Sequence, residues 1–63
     1  HGSWVGEGAT LDGEVNHCVI GANAVIPAGT SLRDCVVWDG VSVPPGNYSS
    51  AIIYDGGEVL QLG

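Results

Sequence analysis

Residues 20–32 have the sequence IGANAVIPAGTSL, in which the aliphatic residues Ile20, Ile26 and Leu32 lie six positions apart. The same spacing returns sixteen or seventeen residues later, and a further set precedes residue 20. A period that is neither 3.6 nor 2 residues is typical of a stacked repeat. The other aliphatic positions of this pattern are Val5 and Leu11 before the stretch, and Val37, Val43, a slot near Ser49, Ile53 and Val59 after it.

Short aliphatic and β-branched runs alternate with turn residues along the whole chain. The runs at residues 18–20, 35–37 and 51–53 are separated by segments such as Asp39-Gly40 and residues 55–57, which are turn material. Glycine or proline interrupts every window long enough for a helix. We therefore predict an all-β chain of very short strands joined by tight turns.

Three repeat units make one coil, so equivalent residues of successive coils stack about 4.8 Å apart. The spacing predicts about three to three and a half short coils with the aliphatic residues inside. Each coil leaves its apolar edges bare until a neighbour covers them, so the stack provides the stability. The predicted columns join Ile20 to Val37 and Ile53, and Ile26 to Val43 and Val59.

Residues 34–46, with the sequence DCVVWDGVSVPPG, make the pattern more specific. This segment resembles the C-terminal β-helix of sugar-phosphate nucleotidyltransferases, particularly mannose-1-phosphate guanylyltransferase-like proteins, and residues 51–56 are a weaker copy of it. The six-residue spacing is similar to that of hexapeptide-repeat proteins, which implies a left-handed parallel β-helix. The resemblance also implies a parent enzyme of nucleotide-sugar biosynthesis that uses Mg²⁺ and a nucleoside triphosphate.

The domain organisation follows from length and from the first residues. At 63 residues the chain is a single small unit. We interpret residues 1–3, His-Gly-Ser, as the remnant of an affinity tag. Residues 4–63 are then one β-helix domain, a fragment of a longer enzyme.

The charge balance excludes several partners. The net charge is −6 and Arg33 is the sole lysine or arginine, so nucleic acid and anionic membranes are not expected as partners. No stretch approaches the roughly 18 consecutive apolar residues of a membrane span. With no signal-peptide pattern either, we expect a cytoplasmic protein.

Nucleotidyl transfer is not expected from this fragment itself. It lacks a glycine-rich nucleotide-binding signature, any lysine for a sugar phosphate and a plausible pair of magnesium ligands. We expect no cofactor or metal site here. The predicted role is homo-oligomerisation through the coil ends or an aromatic face, packing against the protein's own N-terminal catalytic domain, or regulation.

His17 supports an alternative function. Leu11 and Ile20 are nine positions apart, so residues 12–17 are predicted to contain about four extra residues that form a loop. Hexapeptide-repeat acyltransferases use a histidine near such a loop as general base, which makes His17 a weak catalytic candidate. A solvated loop histidine is the simpler interpretation. A third hypothesis is a purely structural repeat cap.

The aromatic residues are the interface candidates. Trp38 and Tyr54 each follow an inward aliphatic residue, so both are expected to face outward in one stripe. They are expected to stack on each other, to anchor a partner, or both. Tyr48 lies at an irregular corner and could face inward or outward.

Two pairs of equivalent residues complete the prediction. Cys18 and Cys35 fall in one column, where parallel side chains point the same way. Buried free thiols are therefore favoured over a disulfide. Asp39 and Asp55 also share a column and are interpreted as caps of their own Asp-Gly turns, in preference to calcium ligands.

Overall fold

A computed structural model describes residues 2–62, and the regular secondary structure in that range consists of β-strands. The predicted tag remnant therefore lies partly outside the described residues, because His1 is not among them. The strands are β1 (Trp4–Val5), β2 (Thr10–Leu11), β3 (Glu14–Asn16), β4 (Val19–Ile20), β5 (Val25–Ile26), β6 (Thr30–Arg33), β7 (Val36–Val37), β8 (Gly46–Ser49), β9 (Ala51–Tyr54) and β10 (Glu58–Gln61).

These strands stack into a parallel β-helix of about three turns, which confirms the predicted fold class. Each of the first two turns contributes one strand to each of three sheets, and in the third turn a single bridge of Ser42 with Val25 replaces the strand of the second sheet. The first sheet has the order β1-β4-β7-β9-β10, the second is β2-β5, and the third is β3-β6-β8. All pairings are parallel except that of β9 with β10. The left-handedness implied by the family resemblance stays a prediction.

The core consists of the inward columns of the three sheets. Ile20, Ile26, Leu32 and Ile53 are completely buried, as the six-residue spacing predicts. Side chains alternate between the two faces of a strand, which turns these residues inward. Small buried residues such as Cys18, Ala24 and Ala51 complete the core. The inward columns are Val5–Ile20–Val37–Ile53, Leu11–Ile26–Val43 and Val15–Leu32–Tyr48.

The predicted loop at residues 12–17 is wrong. Glu14–Asn16 is strand β3, and Val15 pairs with Leu32 as the third inward residue of the first coil. This coil is short: it advances fifteen residues from Val5 to Ile20, whereas the next advances seventeen to Val37. Gly13 permits the tight corner, because a Cβ there would lie 2.5 Å from the Thr30 carbonyl oxygen.

The predicted stacking of Val59 on Val43 is also wrong. Strand β10 returns antiparallel along β9, which pairs Val59 with Ile53. Asp55, Gly56 and Gly57 all have positive φ, and the amide of Gly57 donates to the Tyr54 carbonyl at 3.1 Å. An Asp-Gly pair with left-handed φ is a strong hairpin signal. The hairpin covers the free edge of β9, which would otherwise be available for strand pairing.

One corner of the β-helix repeats with the same backbone conformation in three successive coils. His17, Asp34 and Ser50 have φ values of 52°, 53° and 52°. Each directly precedes a buried small residue, Cys18, Cys35 or Ala51. His17 therefore occupies a regular corner of the solenoid and not the end of an inserted segment.

Candidate interaction surface

The outer surface of the five-stranded sheet is apolar over all five strands. On the four parallel strands of this sheet the residue before each inward aliphatic is itself apolar, and alternation turns it outward. On the antiparallel β10 the outward apolar residue is Leu60, which follows Val59 and pairs with Ile52. Strand pairing aligns these residues in one continuous column, and a second outward column adds two aromatic rings. We call this the outer sheet face, defined by Trp4, Val19, Val36, Ile52 and Leu60 together with Trp38 and Tyr54.

Most of these side chains are open to solvent. Trp4 is 62% exposed, Trp38 55%, Leu60 49% and Val19 47%. A contiguous apolar patch of this kind marks a site of interaction far more often than isolated exposed residues do. Sequence reasoning found only the two aromatic residues of the second column. The missed signal was the apolar pair at the start of each coil, as in Trp4-Val5 and Val19-Ile20.

Trp38, directly after β7, lies next to Tyr54, the last residue of the adjacent strand β9, as predicted. Their ring centroids are 5.4 Å apart and the ring planes are inclined by 49°. The separation lies within the range of favourable aromatic pairs, which avoid a face-to-face sandwich. The contact joins the side chains of two successive coils on the surface of the β-helix. Much of the Trp38 side chain stays exposed and could contact a partner.

A shallow depression lies on the same face and has a volume of about 450 Å³. Both tryptophans contribute to its walls, and the single charged group at its rim is the Asp39 carboxylate. Asp39 Oδ1 accepts a hydrogen bond of 3.0 Å from the amide of Ala22 in the preceding coil. Asp39 thus ties two coils together, which corrects the prediction that it caps its own turn. The lining consists of Trp4, Val19, Gly21, Val36, Val37, Trp38 and Asp39.

Acidic side chains border the apolar columns. Asp39 and Asp55 follow Trp38 and Tyr54 directly, and both are exposed. Asp34 lies at the corner on the opposite border, directly before Cys35. Charged groups at the border of an apolar patch resemble the polar rim of a protein interface. The field around this surface is negative and attracts cations.

His17 is exposed at its corner, next to the start of the chain. A Cβ built on Gly2 would lie 3.2 Å from His17 Cδ2, so the ring approaches that glycine. The fold alone accounts for this position, because Asp34 and Ser50 occupy the same corner in the following coils. His17 is not part of the outer sheet face, and its catalytic role stays a prediction.

Tyr48 is drawn inward, which resolves the open prediction of its direction. It pairs with Leu32, packs partly against the core, and its hydroxyl donates to the Pro44 carbonyl at 2.8 Å. It therefore lies apart from Trp38 and Tyr54. The outer surface of its own sheet is polar and holds Arg33 among asparagine and serine side chains, in a depression of about 280 Å³.

Both cysteines are buried and unbonded, in agreement with the prediction of free thiols. Each thiol donates to the carbonyl two residues before it, Cys18 to Asn16 and Cys35 to Arg33, both at 3.1 Å. The amide of Cys35 donates to Cys18 Sγ at 3.4 Å. Burial raises the pKa of the Cys18 thiol above its ordinary value of 9.0. Both thiols therefore fill a corner of the core, and the raised pKa makes Cys18 poorly suited to nucleophilic chemistry.

Within residues 2–62 no three His, Cys, Asp or Glu side chains are grouped so as to hold a metal ion. The same range contains no apolar helix of membrane-spanning length. Comparison of the chain with protein-family models, curated protein sequences and solved structures finds no match. The resemblance to sugar-phosphate nucleotidyltransferases therefore stays a prediction from residues 34–46.

Proposed function

We propose that this chain is an association domain that joins protein subunits or domains through the outer sheet face and performs no chemistry itself. The observation that carries the proposal is the unbroken apolar column over all five strands, from Trp4 to Leu60. Parallel sheets are normally covered on both faces, and here the core covers only the inner one. Covering the other face removes exposed apolar surface from water, which favours association.

We further infer that the parent protein is a cytoplasmic sugar-1-phosphate nucleotidyltransferase of nucleotide-sugar biosynthesis. The support is the resemblance of residues 34–46 to the C-terminal β-helix of such enzymes. Magnesium and the nucleoside triphosphate would then bind to the catalytic domain, because the acidic side chains of residues 2–62 do not converge on a metal site. The chain itself would hold that domain or another subunit in place.

The coil ends offer a second surface for the same function. Val5 and Leu11, at the first coil, are 39% and 40% exposed, whereas Ile20 and Ile26 in the next coil are fully buried. Strands β1, β2 and β3 each pair on one side only, with β4, β5 and β6. A subunit that stacked on this end would extend the sheets and cover the core.

The acyltransferase alternative rests on His17 alone. Its corner is reproduced by Asp34 and Ser50, so no special local structure presents the imidazole to a substrate. The geometry favours an association domain over this alternative. A His17→Ala variant that lost a measurable transfer of acetyl groups from acetyl-CoA would reverse that preference.

Sedimentation velocity tests the proposed function. We compare the chain with a Val19→Thr/Val36→Thr variant, which keeps β-branched residues on the strands but makes the outer sheet face more polar. Asn47→Thr, an exposed strand position on the polar sheet, is the matched control. We expect the chain to associate with itself or with the parent's remaining domains. The double variant should lower the affinity of this association by about tenfold or more, and the control should leave it unchanged. A compact monomer that binds neither would refute the proposal.

A further inference from the structure

We propose that the outer sheet face is covered by an amphipathic α-helix that carries lysine or arginine residues along its apolar stripe. The inference rests on the proposed function and specifies the chemistry of the partner. Three properties of the surface carry it: its dimensions, its area and the charges at its border.

The dimensions of the face match those of one helix. Five strands spaced about 4.8 Å apart extend roughly 19 Å between the outermost strand axes. A helix that lies along the stack needs about 13 residues to cover this distance. The two outward columns lie two residues apart, so with their side chains they are about 10 Å wide, close to the diameter of a helix.

The backbone of the sheet restricts the partner to side-chain contacts. The inner strands β4, β7 and β9 are paired on both sides, so the face has no free row of backbone donors and acceptors. A strand from a partner therefore has no ladder to join here. An amphipathic helix satisfies its own backbone and needs only an apolar surface. Its largest side chain would enter the depression next to Trp4 and Trp38.

A second copy of the chain fits this face less well. From the dimensions above, each face offers roughly 200 Å², so two faces together would bury about 400 Å², well below the ~1,200 Å² of a stable interface. Each copy also has a net charge of −6, so the two acidic borders would repel each other. A helix from a longer partner can continue its contacts beyond the face, and a cationic helix removes the repulsion.

The charges at the border select a cationic partner. Asp39 and Asp55 lie on one side of the apolar columns and Asp34 on the other, while the sole arginine, Arg33, lies on the polar sheet. Asp39 Oδ1 accepts from Ala22, and its second oxygen makes no hydrogen bond within residues 2–62. That oxygen is available to an ammonium or guanidinium group. The exposed Trp38 ring adds a surface on which an arginine side chain stacks favourably.

Binding of designed peptides tests the inference. The probe is an acetylated, amidated amphipathic peptide of about 14 residues with a leucine stripe flanked by lysine and arginine. The matched peptide has the same stripe flanked by glutamate. Binding is followed by the blue shift of tryptophan emission and by the gain in helical circular dichroism. The chain, the Val19→Thr/Val36→Thr variant and the Asn47→Thr control are compared.

The expected result is binding of the cationic peptide at least tenfold tighter than that of the acidic one, with affinity that falls as salt rises. The apolar-face variant should abolish binding, and Asn47→Thr should leave it unchanged. Asp39→Asn/Asp55→Asn should weaken binding about threefold to tenfold, since each exposed ion pair contributes modestly. Asparagine at position 39 keeps an oxygen for the Ala22 amide, so the fold is preserved.

The remaining outcomes separate this inference from the proposed function. If neither peptide binds but Val19→Thr/Val36→Thr still weakens association of the chain by about tenfold or more, the helical partner is wrong and the association domain stands. Equal binding of both peptides would overturn the inference as well, because the charged border would play no part. If the chain neither associates nor binds a peptide, both proposals fail.

Discussion

A methyl group at Gly21 would collide with the backbone of the next coil. A Cβ at this position would lie 2.5 Å from the Asp39 amide nitrogen and 2.7 Å from the Trp38 carbonyl carbon. No side-chain rotation relieves contacts with backbone atoms. The φ of Gly21 lies outside the left-handed region, so alanine can adopt this backbone and the steric contact alone determines the effect of Gly21→Ala.

The expected loss of unfolding free energy is about 3–5 kcal/mol. Overpacking of a tight site costs about 1–3 kcal/mol. Separating the coils also lengthens two hydrogen bonds, from Ala22 to Asp39 Oδ1 at 3.0 Å and from Gly40 to the Ala22 carbonyl at 2.8 Å. Each contributes about 1 kcal/mol net. A chain of 63 residues is stabilised by only about 3–9 kcal/mol in total. Gly21→Ala should therefore leave much of the protein unfolded.

Urea unfolding followed by circular dichroism measures this loss, and two other glycines are matched controls. Gly29 has a φ of +86° and open space where the methyl group of alanine would lie, so Gly29→Ala should cost only about 1 kcal/mol of backbone strain. A Cβ on Gly6 would lie 2.5 Å from the Ala22 amide nitrogen, but the coil of Gly6 is terminal and can move away, so about 1–2 kcal/mol is expected. A loss for Gly21→Ala no larger than that for Gly29→Ala would refute the steric explanation.

Four further predictions concern other parts of the molecule. The Thr30 hydroxyl is buried and has no hydrogen-bond partner within residues 2–62, so Thr30→Val should raise the free energy of unfolding by about 1 kcal/mol in urea titrations. A decrease in this free energy would contradict the prediction and indicate that the hydroxyl makes a hydrogen bond. Ser50 has a φ of 52°, so Ser50→Gly should stabilise the protein by about 0.5 kcal/mol and raise the melting temperature. A double-mutant cycle with Trp38→Ala and Tyr54→Ala should give a coupling energy of about 0.5–1 kcal/mol, and additive effects would exclude a favourable ring contact. Because burial raises the pKa of Cys18, the folded state keeps the thiol proton to higher pH than the unfolded state does. The contribution of Cys18 to the free energy of unfolding is therefore fully present below about pH 9 and is lost as the pH rises above it. In unfolding measurements across this pH range, the free energy of unfolding of the Cys18→Ala variant should fall less with rising pH than that of the unchanged protein.

The regular part of the β-helix could be predicted from the sequence because its signal is local. Ile20, Ile26 and Leu32 lie inward at equal spacing, and each position shows in a single short window. The first coil could not be assigned in this way. Val15 follows Leu11 by only four positions, so an even six-residue count passes over it and creates an apparent loop. The contact of Gly13 with Thr30, seventeen positions away, is what allows the shorter corner.

One of the two columns of the candidate site could be predicted from the sequence. The stripe of Trp38 and Tyr54 follows from their places after the inward residues Val37 and Ile53. The column that includes Trp4 was missed, because an apolar pair such as Trp4-Val5 does not reveal which member faces water until the register with Ile20 is known. Burial depends on neighbours in the stack, and those neighbours come from other coils.

Local sequence patterns are enough to predict the all-β class, the stacked repeat, the inward columns of the middle coils and the turn-rich corners. These features depend on side-chain alternation and on glycine or Asx residues at turns, which act within a few positions. Three further features became clear only from the packed coils: β10 reverses along β9, Asp39 joins two coils, and seven apolar side chains form one exposed face. The last two depend on the register between segments fifteen to seventeen residues apart, and that register is set by the packing of the whole stack. The reversal of β10 depends on the left-handed turn at residues 55–57.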